Sequence, residues 1–129
     1  MITEKSNGKR VLIVDDSVYM RSLIKKTLVK AGYEVVGEAG DGETAIGLAL
    51  AIAPDLITLD NILPDMYGTD ILKLLVNKEV KAKIIMISAV GQHAVIGEGL
   101  NLGASYYIVK PFTSETLIQT ANAAFQIED

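Results

Sequence analysis

Cysteine is absent from the 129 residues, which excludes disulfides and thiolate metal sites and leaves the redox compartment unread. Tryptophan is absent too, and only 5% of residues are aromatic, so no aromatic stripe interleaves with Lys or Arg. Basic blocks are lacking: 12 Lys and Arg face 16 Asp and Glu, a net charge of −4 that argues against a dedicated nucleic-acid surface and for a protein partner. His93 is the single histidine and reads as a surface helix residue, so zinc has no His or Cys cluster to bind. Long hydrophobic runs are missing as well. The longest apolar stretch, Ala45 to Ala53, is far short of the roughly 18 residues that span a bilayer, and the polar first ten residues lack the apolar segment of a signal peptide. A soluble cytoplasmic protein without membrane insertion is the expectation.

Half of the residues are apolar, enough for one packed core in one domain. Short apolar runs alternate with longer segments of helical period, the pattern of βαβ units and a parallel sheet. Strands are expected near 10 to 14, 34 to 39, 55 to 59, 83 to 88 and 105 to 109, and helices near 17 to 31, 42 to 53, 67 to 77, 92 to 102 and 114 to 125. Ser17 and either Thr113 or Ser114 can cap helix N-termini, Gly32 and Gly103 stand where helices end, and Pro54 breaks the chain before the third strand. Residues 1 to 8 read as a loose tail before a domain over 9 to 129, with few residues after the last helix and no room for an attached effector domain. The apolar second helix reads as core and close helix packing.

Five polar residues sit where hydrophobic runs stop. Asp15 and Asp16 follow Val11-Leu12-Ile13-Val14, Asp60 follows Leu56-Ile57-Thr58-Leu59, Ser88 follows Ile84-Ile85-Met86-Ile87, and Lys110 follows Tyr107-Ile108-Val109. Open α/β sheets bind ligands outside the carboxyl ends of their strands, so one crevice would collect all five side chains. Three carboxylates together repel one another unless a cation sits among them, and the oxygen-only donor set suits Mg²⁺. Lys110 adds a second positive charge and Ser88 a hydroxyl donor, together an anion clamp. Taken singly, Asp16 could be a helix cap, Ser88 and Asp60 loop polar groups, and Lys110 a solvated lysine. Their joint placement after four strands is what singles them out.

The pair Asp15-Asp16, the segment Asp60-Asn61-Ile62-Leu63-Pro64-Asp65-Met66-Tyr67-Gly68, the pair Ser88-Ala89 and Lys110-Pro111-Phe112 resemble the receiver domain of two-component response regulators, over nearly the whole chain. Ser88-Ala89-Val90-Gly91-Gln92 is similar to the stand-alone chemotaxis members of that family. The resemblance implies a single doubly wound (βα)5 flavodoxin-like domain, an α/β fold with a parallel five-stranded sheet of order 2-1-3-4-5. It implies a signalling protein rather than an enzyme, one that catalyses only its own Mg²⁺-dependent phosphorylation and dephosphorylation. Asp60 would be the phosphoacceptor, taking the phosphoryl group from a histidine kinase. Asp16 and Asp60 would ligate Mg²⁺ through side chains, Ile62 through its backbone carbonyl and Asp15 through water. Lys110 would hold one phosphoryl oxygen and Ser88 another, with Tyr107 following the Ser88 hydroxyl inward as the readout, a role for which Tyr106 competes. Loose phosphoryl-transfer transition states need alignment, a metal ion and fixed cationic donors, so the chemistry agrees with these roles.

The resemblance further implies a downstream protein target such as a flagellar or archaellar switch or adaptor, with a phosphorelay outside motility as the alternative. Ile62 and Val90 occupy variable positions where relatives often carry polar or acidic residues. Their apolar side chains predict slow self-dephosphorylation and a use for a partner phosphatase. Leu63 stands for the usual methionine and Ser88 for the commoner threonine, both mild departures. Two rival readings share the sheet. A flavodoxin-type small-molecule binder would need a hydroxyl-rich or glycine-rich phosphate loop after strand one, where Asp15-Asp16-Ser17-Val18 stands instead. An aspartyl-phosphate phosphohydrolase would want its nucleophile after strand one and a cap domain.

Overall fold

The computed structural model describes residues 6–89 and 102–127. Five strands, β1 (Arg10–Val14), β2 (Glu34–Ala39), β3 (Leu56–Asp60), β4 (Lys83–Ala89) and β5 (Tyr106–Lys110), form one sheet of order β2-β1-β3-β4-β5. Every pairing in it is parallel. Four helices are described, α1 (Val18–Lys30), α2 (Gly42–Ile52), α3 (Gly68–Asn77) and α4 (Ser114–Ala124). The helix expected near 92 to 102, with Val90 and His93, lies outside the described residues apart from Leu102, which follows it as a turn.

Continuous apolar strands belong in a sheet that is covered on both faces, because successive side chains leave opposite sides. Leu12 and Val14 of β1 join one buried cluster with Ala45 and Ala49 of α2 and Ile71, Leu72 and Leu75 of α3. Val11 and Ile13 join another with Ile24 and Leu28 of α1 and Leu117 and Ala121 of α4. Each fully buried Leu or Ile contributes about 1.5–3 kcal/mol, so the two faces are held by comparable apolar layers. Ala45 and Ala49 let α2 lie close to the sheet while Leu50 remains exposed.

Helix starts follow polar caps. Ser17 Oγ accepts from the Met20 N–H at 3.1 Å, and Thr113, rather than Ser114, caps α4 by accepting from the Thr116 N–H at 3.0 Å. Gly32 takes φ +98° just past α1, a left-handed conformation that a side chain disfavours. Before β1, the Asn7 N–H donates to the Gly32 carbonyl at 3.0 Å. No helix among the described residues is long and apolar enough to cross a membrane.

Three strands, β3, β4 and β5, end one residue further along than expected from sequence. Asp60 and Lys110 are the last residues of β3 and β5, not the first beyond them, because the ladder continues through Asp60 opposite Ile87 and Ala89 opposite Lys110. Ladder pairing therefore fixes the backbone of both polar residues.

Candidate phosphoryl and metal site

The chain winds from β1 outward to β2 in one direction and through β3 to β5 in the other, so a crevice opens at the carboxyl ends of β1 and β3. Register brings the strand ends level: Val14 lies opposite Leu59, Asp60 opposite Ile87, and Ala89 opposite Lys110. Asp15 extends the β1–β2 ladder by a further bond, its N–H donating to the Ala39 carbonyl at 3.0 Å. Its carbonyl accepts from Arg21 Nη1 at 2.6 Å, and its Oδ1 accepts from the Ser17 N–H at 2.9 Å. Arg21 also pairs with Glu38 of β2 at 3.2 Å, which ties α1 to the edge strand across the acidic pair.

Asp15, Asp16 and Asp60 each offer a carboxylate oxygen within 4.8 Å of the others; Asp15 and Asp60 are buried and Asp16 is exposed. Lys110 stands among them, its Nζ donating to Asp15 Oδ2 at 3.1 Å and to Asp60 Oδ1 at 3.3 Å. Burial pushes the Asp60 carboxyl up; Lys110 pulls it down, Asp15 and Asp16 push it up again, and the balance lies above the ordinary value of 3.8. Desolvation works against the Lys110 ammonium, but Asp60 and Asp15 outweigh it and hold its pKa above 10.5. Lys110 is itself a cation among the carboxylates, bonded to two of them.

Ser88 is buried at the end of β4, and its Oγ has no hydrogen-bond partner among the described residues. Buried hydroxyls are nearly always paired, so the lack of a partner among the described residues sets Ser88 apart. Asn61 Oδ1, directly after Asp60, is a second buried acceptor without a partner among the described residues.

Between β3 and α3 the chain closes into a small hairpin. The Gly68 N–H donates to the Asn61 carbonyl at 2.6 Å, Ile62 and Tyr67 form an isolated antiparallel bridge, and the Leu63 N–H donates to the Met66 carbonyl at 3.2 Å. A Cβ at Gly68 would stand 2.7 Å from the Asp60 carbonyl oxygen, which is why glycine closes this segment. Ile62 lies in the hairpin with its side chain half exposed, while Tyr106 and Tyr107 of β5 are both exposed. Asp15, Asp16, Asp60 and Lys110 are therefore brought together, Ser88 is the next-to-last residue of the neighbouring strand, and the tyrosines stand on the open surface.

Two residues of the site went unnoticed in the sequence reading. Arg21 holds the Asp15 carbonyl, and Asp65 bonds the N-terminus of α2. Arg21 sits at helical spacing inside a polar face, and Asp65 finds partners 22 and 23 residues away, so local pattern marks neither.

Comparison with known proteins agrees with this geometry. The response regulator receiver domain family matches residues 11–122. The chemotaxis protein CheY of Thermotoga maritima is 44% identical over 115 residues, covering 89% of this chain and 96% of that protein. CheY of Bacillus subtilis is 42% identical over 113 residues, covering 88% and 94%. Among solved structures, the CheX-CheY-BeF3-Mg²⁺ complex from Borrelia burgdorferi superposes with a TM-score of 0.86 at 32% identity, over 91% of this chain and 89% of that one. The response regulator domain of Thermotoga maritima CheB superposes with a TM-score of 0.82 at 32% identity, over 94% and 98%. With a flavodoxin-like sheet, an acidic crevice and these relatives, the chain belongs to the response regulator receiver domain family.

Proposed function

We propose that this chain is a phosphorylation-controlled switch of a two-component system, with Asp60 the acceptor of a phosphoryl group from a histidine kinase. The observation that carries the reading is the bridge from Lys110 to Asp15 and Asp60, together with a buried Ser88 hydroxyl that has no partner among the described residues. The donor set fits a hard divalent ion, since it offers carboxylate oxygens within 4.8 Å of one another. Asp16 and Asp60 would hold Mg²⁺ through side chains, Ile62 through its carbonyl and Asp15 through water. Once bound, the ion would neutralise charge on the transferring phosphoryl group and fix one of its oxygens.

The chain's own residues do the rest. An Asp60 carboxylate oxygen attacks phosphorus as the P–N bond to the kinase imidazole breaks; the imidazole leaves with the electron pair and regains a proton from solvent. Lys110 moves from the Asp60 carboxylate to a phosphoryl oxygen, and the Ser88 hydroxyl donates to another. Because the Lys110 ammonium is held above its ordinary pKa, it stays charged throughout. Moving Ser88 toward the phosphoryl group frees space beside β5, and the readout is assigned to Tyr107.

Chemotaxis is the favoured pathway, since similar curated relatives carry that name. The domain is taken to run over 9–129, to work in the cytoplasm, and to signal by contact with a downstream protein. A partner phosphatase suits a chain whose Ile62 side chain offers no hydrogen bond to a hydrolytic water. The test is intact-mass measurement after incubation with Mg²⁺ and acetyl phosphate. Wild type should gain one phosphoryl group and Asp60→Asn none; an equal gain in the variant refutes the assignment.

A further inference from the structure

The hairpin that follows Asp60 is closed on itself by the Gly68, Ile62 and Leu63 contacts and rooted at its base by the buried Leu63 and by the Asn61 N–H, which donates to the Ile87 carbonyl at 3.3 Å. Its apex, Pro64-Asp65, is exposed and farthest from that root, so an anchor there adds most to its restraint. Asp65 Oδ1 accepts from the Gly42 N–H at 2.7 Å and Oδ2 accepts from the Glu43 N–H at 3.0 Å. Those are the first two N–H groups of α2, which have no partner within the helix. The helix already has its own cap: Asp41 Oδ1 accepts from the Thr44 N–H at 2.8 Å. A second carboxylate, from a distant loop, is therefore not required to begin α2, and its placement instead benefits the loop.

Packing supports the same contact. The Met66 thioether stands where a Cβ of residue 42 would be, so only glycine lets hairpin and helix approach this closely. Met66 is also packed against the core cluster beneath α2 and α3. Both bonds to Asp65 are charge-assisted and lie at the positive end of the helix dipole, the arrangement that makes a carboxylate a firm tether. The Gly42 and Glu43 N–H groups accordingly hold the Asp65 carboxyl below the ordinary carboxylate value.

We propose that Asp65 is a positioning residue for the phosphoryl site, tethering the 61–68 hairpin to α2 so that the Ile62 carbonyl is kept in fixed relation to Asp60. This rests on the metal-binding role given to Asp60 and Ile62 above. Removing a group that bonds a metal ligand directly typically weakens binding by about 10–100-fold, and Asp65, which acts on Ile62 through the hairpin, belongs at the lower end of that range. The experiment is calorimetric titration of the full chain with Mg²⁺ alone, without phosphodonor, alongside melting temperatures. Asp65→Ala should weaken Mg²⁺ binding about tenfold, and Asp65→Asn, which keeps one acceptor oxygen, should fall between it and wild type. Asp41→Ala is the control, because it removes a cap from the same helix without touching the hairpin. It should lower the melting temperature as Asp65→Ala does yet leave Mg²⁺ affinity unchanged.

Wild-type affinity in both Asp65 variants overturns the proposal while leaving the acidic site intact. Equal weakening by Asp41→Ala also overturns it, since loosening of α2 would then suffice. Absence of Mg²⁺ binding by wild type refutes the metal site itself, and the tether's role with it. Should Asp65→Ala not fold, Asp65→Asn against Asp41→Ala makes the same comparison.

Discussion

Replacing Lys110 with methionine keeps the aliphatic stem and removes the charge that two carboxylates share. The ammonium lies 3.1 Å from Asp15 and 3.3 Å from Asp60, with side-chain exposures of 25%, 1% and 12% for Lys110, Asp15 and Asp60. At an effective dielectric constant of about 20, each contact is a Coulomb attraction of about 5 kcal/mol, most of it offset by the cost of taking the three charges out of water. Removing one member of a fully buried pair costs about 3–5 kcal/mol; with Lys110 a quarter exposed, about 2–3 kcal/mol is expected. For a domain of this length that is a fall of roughly 8–12 °C in melting temperature in metal-free buffer. Saturating Mg²⁺ should restore more stability to Lys110→Met than to wild type, because a cation can replace the missing ammonium. Calorimetry with and without Mg²⁺ reads both effects. The double variant Lys110→Met with Asp60→Asn should recover much of the loss, since one stranded charge disappears. A Lys110→Met protein as stable as wild type without metal refutes the view that this lysine neutralises the acidic crevice.

Other expectations follow from the same geometry. Asp60 has a raised pKa in the folded chain, so ionising it costs stability, and its contribution declines as pH rises from 3.8 through the folded-state value. Asp60→Asn should therefore gain on wild type in melting temperature as pH climbs from acid to neutral; a constant difference counts against the burial of this charge. Lys110 has a dependence of the same direction at higher pH, with stability fully present below 10.5 and lost as pH passes its higher folded-state pKa, so alkaline melts of Lys110→Met should lack that final decline. Asp16→Asn removes one of three clustered negative charges and should raise the metal-free melting temperature while abolishing its Mg²⁺ dependence; a lower value would contradict the clustering. Gly68→Ala forces a Cβ against the Asp60 carbonyl, at a cost of about 2–3 kcal/mol, and should slow phosphorylation by acetyl phosphate; unchanged stability would mean the hairpin does not pack on Asp60.

Local pattern made the scaffold legible because a doubly wound domain repeats one rule. An apolar run buried on both faces becomes a strand, and helical spacing behind a polar cap becomes the cover, so the limits of β1, β2 and α1 to α3 read from sequence fall within a residue or two of those observed. The chemical residues were legible for a related reason: a parallel sheet delivers whatever follows each strand to one end, and Asp15, Asp16, Asp60, Ser88 and Lys110 follow four of the five apolar runs. Distances and pairing were not. That Lys110 bonds Asp15 and Asp60, that Ser88 is left without a partner among the described residues, and that Asp60 closes β3 instead of following it all depend on register between strands far apart in the chain. Arg21 and Asp65 escaped for the same cause. Their partners, the Asp15 carbonyl and the first N–H groups of α2, are backbone atoms, which every residue carries and no side-chain pattern announces. Sequence alone determined which groups reach the crevice, because alternation and strand ends are local properties. Only the tertiary structure decided how those groups share charge and what holds the loop beside them, because Coulomb energies and hydrogen bonds depend on distances that are set when the strands and helices pack.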